Sequence, residues 1–316
     1  MHAADLIQAA IDRTGSIACV GLDPRPNLIP PALATAALAR SGDSAEAVAD
    51  AFLVFNRGII DAIAGACAAV KPQLACYEAY GSAGMRCLEQ TVAHAHDRGI
   101  PVIIDGKRND IGSTAEHYAQ AYLAPLVGEA RRSPPGLTGK PLAGLGAQWL
   151  TVNAYLGADG VKPFLQSPPS TGIFVLVKTS NASSGDLQDV PCEGGPVMER
   201  MARLVAQWGA DRCGRCGLSD VGAVVGATYP QQARRLRELM PNALFLVPGY
   251  GAQGASAADA KAGARADGRG ILVNSSRAIL GAWQDARNTD VDWKDAARGA
   301  LDAMNRDLSS AGASGG

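Results

Sequence analysis

Eight short apolar runs rich in valine and isoleucine punctuate the chain. They are IACVGL (17–22), CAAVKP (67–72), PVIID (101–105), WLTVNA (149–154), IFVLVK (173–178), GAVVGA (222–227), ALFLVP (243–248) and GILVNS (270–275). Each is continuous, not alternating, as strands buried on both faces of a parallel sheet are. Segments with helical spacing separate most of them. DSAEAVADAFLVFNRGIIDAIAG and QQARRLRELM are the clearest, and NAYLGADGVKPFLQ fits a shorter helix start. Strand candidates alternating with helical connections predict an α/β fold, a single-domain (β/α)₈ barrel. A doubly wound open sheet is the runner-up, but its G-x-G-x-x-G signature is missing after IACVGL.

The barrel is expected over 1–285. VGEARRSPPGLTGKPLAGLGAQ, 127–148, breaks the rhythm with consecutive prolines and many glycines, and reads as a surface insertion. A helical segment is expected over 286–308. The tail SSAGASGG, 309–316, has no core-forming residues and is expected to be disordered.

Composition then removes whole classes of function. The formal net charge of −1 leaves no basic excess to neutralise nucleic-acid phosphates. No uninterrupted apolar run reaches the roughly 18 residues a membrane helix needs. The start, MHAADLIQAAIDRTG, carries Asp5 and Asp12 and reads as an amphipathic helix, not a signal peptide. Seven cysteines without a framework spacing suit reduced thiols in a cytoplasm. CGRC, 213–216, lacks the second pair or nearby histidine that a zinc or redox site wants. His94 and His96 sit near a helix end closed by Gly99, two apart and so on different faces.

The chemistry lies in where the charges fall. In a barrel the reacting groups gather at the C-terminal strand ends. Asp23 follows the first strand, Lys71 closes the second, and Asp105 and Lys107 close the third. Residues two apart in extended geometry point to one side, so Asp105 and Lys107 should meet, with Lys71 approaching from the neighbouring strand. With Asp110 beyond a short turn they form an alternating Lys–Asp–Lys–Asp array. Flanking carboxylates keep the lysines protonated, and the lysines keep the carboxylates ionised. The array is then a proton donor held beside fixed negative charge, or else an ion-pair network that only neutralises itself. Arg108 faces away and reads as an outer salt-bridge partner. At the other end, PGYGAQG follows the seventh strand, and Ser276 and Arg277 follow the eighth ahead of a helix start. Free backbone N–H groups plus an arginine at this place suit a phosphorylated ligand.

Asp105-x-Lys107-x-x-Asp110-Ile111 resembles the signature of the orotidine 5′-phosphate decarboxylases. CVGLDPRP, KPQLACYEAYG, VKTSNASSGDLQD, GAVVGATYP, VPGYGAQG and VNSSRAI resemble the longer type 2 bacterial branch, over roughly residues 5 to 285. The short motif is shared with related barrel enzymes, whereas the full set of strings is specific. The resemblance implies a carboxy-lyase that turns orotidine 5′-monophosphate into UMP and CO₂ in pyrimidine biosynthesis, with no cofactor. It implies Lys107 as proton donor to C6, Asp105 against the departing carboxylate, and Lys71 between that aspartate and the ribose. Asp110 and Thr114 would reach across a homodimer interface. Asp23 would bind ribose, Ser180 the pyrimidine edge, and Gln253 and Arg277 the phosphate, with Ser276 also on the substrate. Loss of CO₂ leaves a C6 carbanion in the ring plane, outside the π system, so stabilisation must come from placed charge. The rivals are a Mg²⁺-dependent sugar-phosphate enzyme of the same barrel type, a Schiff-base aldolase using Lys71 or Lys107, and an inactive nucleotide-binding barrel. The first wants a carboxylate where Lys71 stands, and the second wants a lysine with a lowered pKa.

Overall fold

The computed structural model describes the chain except residues 125–135, 139–142, 168–169, 252–253 and 312–316. The apolar runs become strands β1 (Ala18–Leu22), β2 (Ala69–Pro72), β3 (Ile103–Arg108), β4 (Trp149–Val152), β5 (Gly172–Lys178), β6 (Ser219–Val225), β7 (Ala243–Val247) and β8 (Ile271–Ser275). They pair in parallel in the order β2-β1-β8-β7-β6-β5-β4-β3. Parallel bridges Val70–Val102 and Gln73–Asp105 bring β2 to β3 and close the (β/α)₈ barrel.

Closure explains why the runs read as continuous. One set of side chains, including Cys19, Ala69, Ile103, Trp149, Phe174, Leu244 and Leu272, packs together with Ala3, Ala4 and Ile7 of the first helix, Ala3–Thr14. Intervening residues such as Val20, Val70, Ile104, Leu150, Val175 and Phe245 pack in the larger core that also holds the outer helices. Trp149 stacks on Phe174 with ring centroids 4.4 Å apart. The first helix thus covers the N-terminal end of the barrel and leaves the other end for chemistry. Its Asp5 accepts the N–H groups of Arg215 (3.1 Å) and Cys216 (2.9 Å), pinning the CGRC turn. Burial, with Asp5 beside it, pushes the Cys216 thiol up to about 11, away from thiolate chemistry. Among the described residues no His, Cys, Asp and Glu group could hold a metal ion, and no helix is long and apolar enough to cross a membrane.

The structure departs from the sequence pattern in identifiable places. β6 begins at Ser219, ahead of the apolar run, and takes in buried Asp220, which Arg212 grips through two 2.8 Å hydrogen bonds. A paired charge is admitted to a strand that hydropathy alone starts later. Helix Pro31–Ser41, opened by proline, precedes the anticipated helix Ala45–Ile63, which Ser44 caps. The NAYLGADGVKPFLQ segment forms a 3₁₀ turn, Gly157–Gly160, and one helical turn, Lys162–Leu165. Of the 127–148 insertion, residues 125–135 and 139–142 lie outside the described residues. The part at 143–148 packs closely on helix Gly112–Leu123, where a Cβ on Gly144 would stand 2.3 Å from the Gln120 carbonyl. The last helix, Trp293–Ser310, runs two residues into the segment read as a tail, and 312–316 lie outside the described residues.

Candidate active site

β3 carries the centre of the site. Its Asp105 is 7% exposed and accepts from four donors. Lys71 Nζ (2.6 Å) and Gln73 Nε2 (3.0 Å) reach Oδ2, while Lys107 Nζ (2.6 Å) and Thr151 Oγ1 (2.9 Å) reach Oδ1. Burial alone would push the Asp105 carboxyl up. The charges of Lys71 and Lys107, with their hydrogen bonds, instead hold it well below the usual carboxylate range. Burial likewise works against the Lys71 ammonium, but Asp105 and Asp23 carry it well above its ordinary value. The Schiff-base rival needs the opposite shift at Lys71.

Lys107 reaches Asp105 by a route other than the extended strand assumed from the sequence. Its φ is 48°, the only positive φ at a non-glycine among the described residues, and the β3–β4 register shifts between Ile104 and Arg108. A bulge, not simple alternation, brings the two side chains together. Arg108 is directed outward as expected, pairing with Glu78 and donating to the Tyr122 hydroxyl at 3.1 Å.

Asp110 does not complete the array within one chain. Its Oδ1 accepts the Ile111 N–H at 2.8 Å, and it makes no ion pair among the described residues. Thr114 is exposed on the first turn of helix Gly112–Leu123. Ile111, Tyr155 and Leu156 are also exposed on the two segments that meet at Asp110 and Gly160.

Two cavities of about 500 Å³ each open at the C-terminal strand ends, and Pro248 lines both. The first holds Lys71, Asp105, Lys107 and Thr151 beneath the loop after β5. Within that loop Thr179 Oγ1 is occupied, donating to Asn181 Oδ1 (2.6 Å) and accepting from Gln188 Nε2 (2.8 Å). The Ser180 hydroxyl lines the same cavity with no partner among the described residues, so Ser180 is the better placed of the two for a ligand. The loop is anchored by Lys178, fully buried at the end of β5, whose Nζ meets both Asp189 oxygens at 2.8 Å.

The second cavity holds Asp23, Arg25, Tyr250, Ser276 and Arg277. Asp23 Oδ1 is buried there without a hydrogen-bond partner among the described residues, which is costly unless a ligand supplies one. Neither Arg25 nor Arg277 has a carboxylate partner among the described residues, leaving two cations open to an anion. Ser276 lies so close over β1 that a Cβ on Gly21 would fall 1.9 Å from its hydroxyl. The helix after β8, Arg277–Leu280, is a single turn, so Arg277 supplies more of the anion attraction than the helix start. Gln253 lies outside the described residues. A third cavity, about 510 Å³, lies between Glu116, Gln120, Pro163 and Ser167 on the outer side of the barrel, and among the described residues Glu116 is its sole ionisable lining residue.

Thr151, Gln73, Arg25 and Lys178 were not singled out from the sequence. Gln73 and Arg25 each stand two residues beyond a residue that was, Lys71 and Asp23, so the strand period could have found them. Thr151 is a lone hydroxyl in an apolar run, and Lys178 reads as the ordinary polar end of a strand.

A (β/α)₈ barrel whose C-terminal mouth holds a Lys–Asp–Lys centre beside an anion-attracting cavity has the layout of a barrel enzyme, with its ionisable groups gathered at the C-terminal strand ends. Comparison with known proteins narrows this. The family model described as "Orotidine 5'-phosphate decarboxylase / HUMPS family" matches residues 19–289. The orotidine 5′-phosphate decarboxylase of Rhodopirellula baltica is 45% identical over 98% of this chain and 99% of its own length. That of Ralstonia nicotianae is 39% identical over 96% of each chain. The solved structure of Leishmania donovani OMP decarboxylase superposes with a TM-score of 0.71 at 28% identity, covering 98% of both chains. The chain belongs to the orotidine 5′-phosphate decarboxylase / HUMPS family.

Proposed function

We propose that this carboxy-lyase converts orotidine 5′-monophosphate to UMP and CO₂, the decarboxylation step of pyrimidine biosynthesis, without metal or organic cofactor. The observation that carries the reading is Asp105, ionised and clamped between Lys71 and Lys107 on the floor of one cavity, beside a second cavity whose two arginines have no carboxylate partner among the described residues. A substrate with phosphate near Arg277, Arg25 and Ser276 places its ribose near Asp23 and Lys71, and its base under Ser180. Gln253 belongs to the phosphate end by resemblance.

The substrate carboxylate then lies against a carboxylate that cannot take up a proton to relieve the repulsion. The C6–carboxylate bond breaks, CO₂ departs, and the electron pair stays on C6. The Lys107 ammonium stabilises that pair and gives it a proton, so the product is UMP and a neutral lysine. Lys107, with 47% of its side chain exposed, recovers its proton from solvent. Placed charge does the work an electron sink would otherwise do. The phosphate grip, far from C6, offsets the cost of holding the base in this environment. Lys71, paired to Asp105 where a sugar-phosphate enzyme of this barrel type would need a metal-binding carboxylate, favours the decarboxylase within the family.

Asp110 and Thr114 belong to the neighbouring active site of a homodimer in this reading. Exposed Ile111, Tyr155 and Leu156 beside them supply apolar surface for the second copy. The free cysteines suit the cytoplasm. The test is conversion of orotidine 5′-monophosphate by purified protein, with and without EDTA, beside Lys107→Ala. Turnover indifferent to EDTA and abolished in the variant is expected; a folded wild type without turnover would reject the assignment. Light scattering that found a fully active monomer would remove the cross-subunit role of Asp110.

A further inference from the structure

We infer that Thr151 is a positioning residue: its single hydroxyl sets Lys107 and Asp105 against each other. The inference rests on the reading of Lys107 as proton donor. Ile104 pairs with Leu150 and Arg108 with Val152, so residues 105–107 of β3 face Thr151 alone on β4. In a regular ladder the Lys107 N–H would meet a main-chain carbonyl. Here it donates to Thr151 Oγ1 at 2.9 Å, and the same hydroxyl donates to Asp105 Oδ1 at 2.9 Å.

The direction of both bonds is forced. An ionised carboxylate only accepts, so the hydroxyl proton goes to Asp105 and its lone pair is left for Lys107 N–H. Thr151 is 1% exposed, which keeps water from substituting for it easily. The left-handed φ of 48° at Lys107 is an unfavourable conformation for a residue with a Cβ, and it persists only where the surroundings over-determine it. The Thr151 hydroxyl is such a determinant. It holds the bulge that turns Nζ back onto Asp105, and it fixes the carboxylate oxygen that Nζ meets. Bound substrate would meet an ammonium already aimed.

The experiment compares Thr151→Ser, Thr151→Ala and Thr151→Val with wild type. The readout is kcat per UMP-binding site, with sites counted by calorimetric titration with UMP. Counting sites removes any loss that comes from a smaller folded fraction. Serine and alanine both lack the γ-methyl and differ only in the hydroxyl; valine keeps the shape and lacks the hydroxyl. Thr151→Ser should stay within a few-fold of wild type, while alanine and valine fall by about 10²-fold, the scale of a 1 Å misplacement, with UMP affinity little changed. Alanine or valine variants with wild-type kcat per site would overturn the role, whatever their melting temperatures. So would failure of both to fold while serine folds, because the hydroxyl would then serve stability. Absence of turnover in folded wild type would instead reject the functional reading itself.

Discussion

Cutting the Lys178–Asp189 ion pair should cost very different amounts from its two sides. The Lys178 side chain has no exposed surface, whereas 39% of the Asp189 side chain is exposed and also accepts from Gln232. Asp189→Ala strands an ammonium in the core with the Tyr229 ring, 4.3 Å away, as its remaining charge-compensating contact. Breaking a buried pair in this sense costs about 3–5 kcal/mol. The ring contact persists and water can enter where Asp189 stood, which favours the low end, about 3 kcal/mol. Lys178→Met removes the buried charge, keeps most of the volume and releases Asp189 to water, so about 1 kcal/mol is expected. At about 2 °C per kcal/mol for a chain of this size, the two variants should melt roughly 6 °C and 2 °C below wild type. The double variant should resemble Lys178→Met alone. Urea midpoints and thermal melts at neutral pH measure this. Because Gln188, adjacent to Asp189, also holds Thr179 N–H at 2.9 Å, the KM for orotidine 5′-monophosphate should rise in Asp189→Ala. A Lys178→Met variant as unstable as Asp189→Ala would refute the argument from asymmetric burial.

Gly21→Ala places a Cβ 1.9 Å from the Ser276 hydroxyl and should raise KM by displacing the phosphate end; an unchanged KM would mean Ser276 moves without consequence. Asp105 has a folded-state pKa below its unfolded value of about 3.9, so its stabilisation is present above that pH and is lost as pH falls through the folded value. The urea-midpoint gap between wild type and Asp105→Asn should therefore hold steady down to about pH 4 and shrink below it, whereas a gap constant to about pH 2 would contradict the low pKa. Arg237 lies 3.7 Å from the Phe245 ring centroid and donates to the carbonyls of Met240, Ala243, Gly263 and Gly270 at 2.7–2.9 Å, around the N-terminal ends of β7 and β8. Arg237→Met should cost about 3 kcal/mol, from the loss of hydrogen bonds donated by a charged group, although the Gly270 and Met240 carbonyls keep the N–H groups of Phe245 and Ala243, with kcat/KM per folded molecule unchanged because barrel chemistry gathers at the other end.

The barrel was legible in the apolar pattern alone, and the polar residues after each run already marked one end of it as the candidate site. Continuous apolar runs between helical segments have few physical solutions other than a parallel sheet covered on both faces, and polar residues at one end of each run mark the mouth. Asp105, Lys107, Lys71 and Asp23 were legible because each closes or follows an apolar run; strand period anticipated that Lys107 would meet Asp105, but the bulge at φ 48° is what brings them together. Ser180 was assigned from resemblance alone; the physical ground for preferring it to Thr179, whose hydroxyl Asn181 and Gln188 occupy, is visible only in the structure. Thr151 became visible only through register, since its two partners are 44 and 46 residues away and meet it at a bulge that no pattern of hydropathy announces. The same holds for Asp220, admitted to β6 by Arg212, and for Lys178, whose charge is buried because Asp189 folds back over it. Hydropathy reports what a residue would do alone in water, and these residues are placed by partners that only the closed barrel brings within reach.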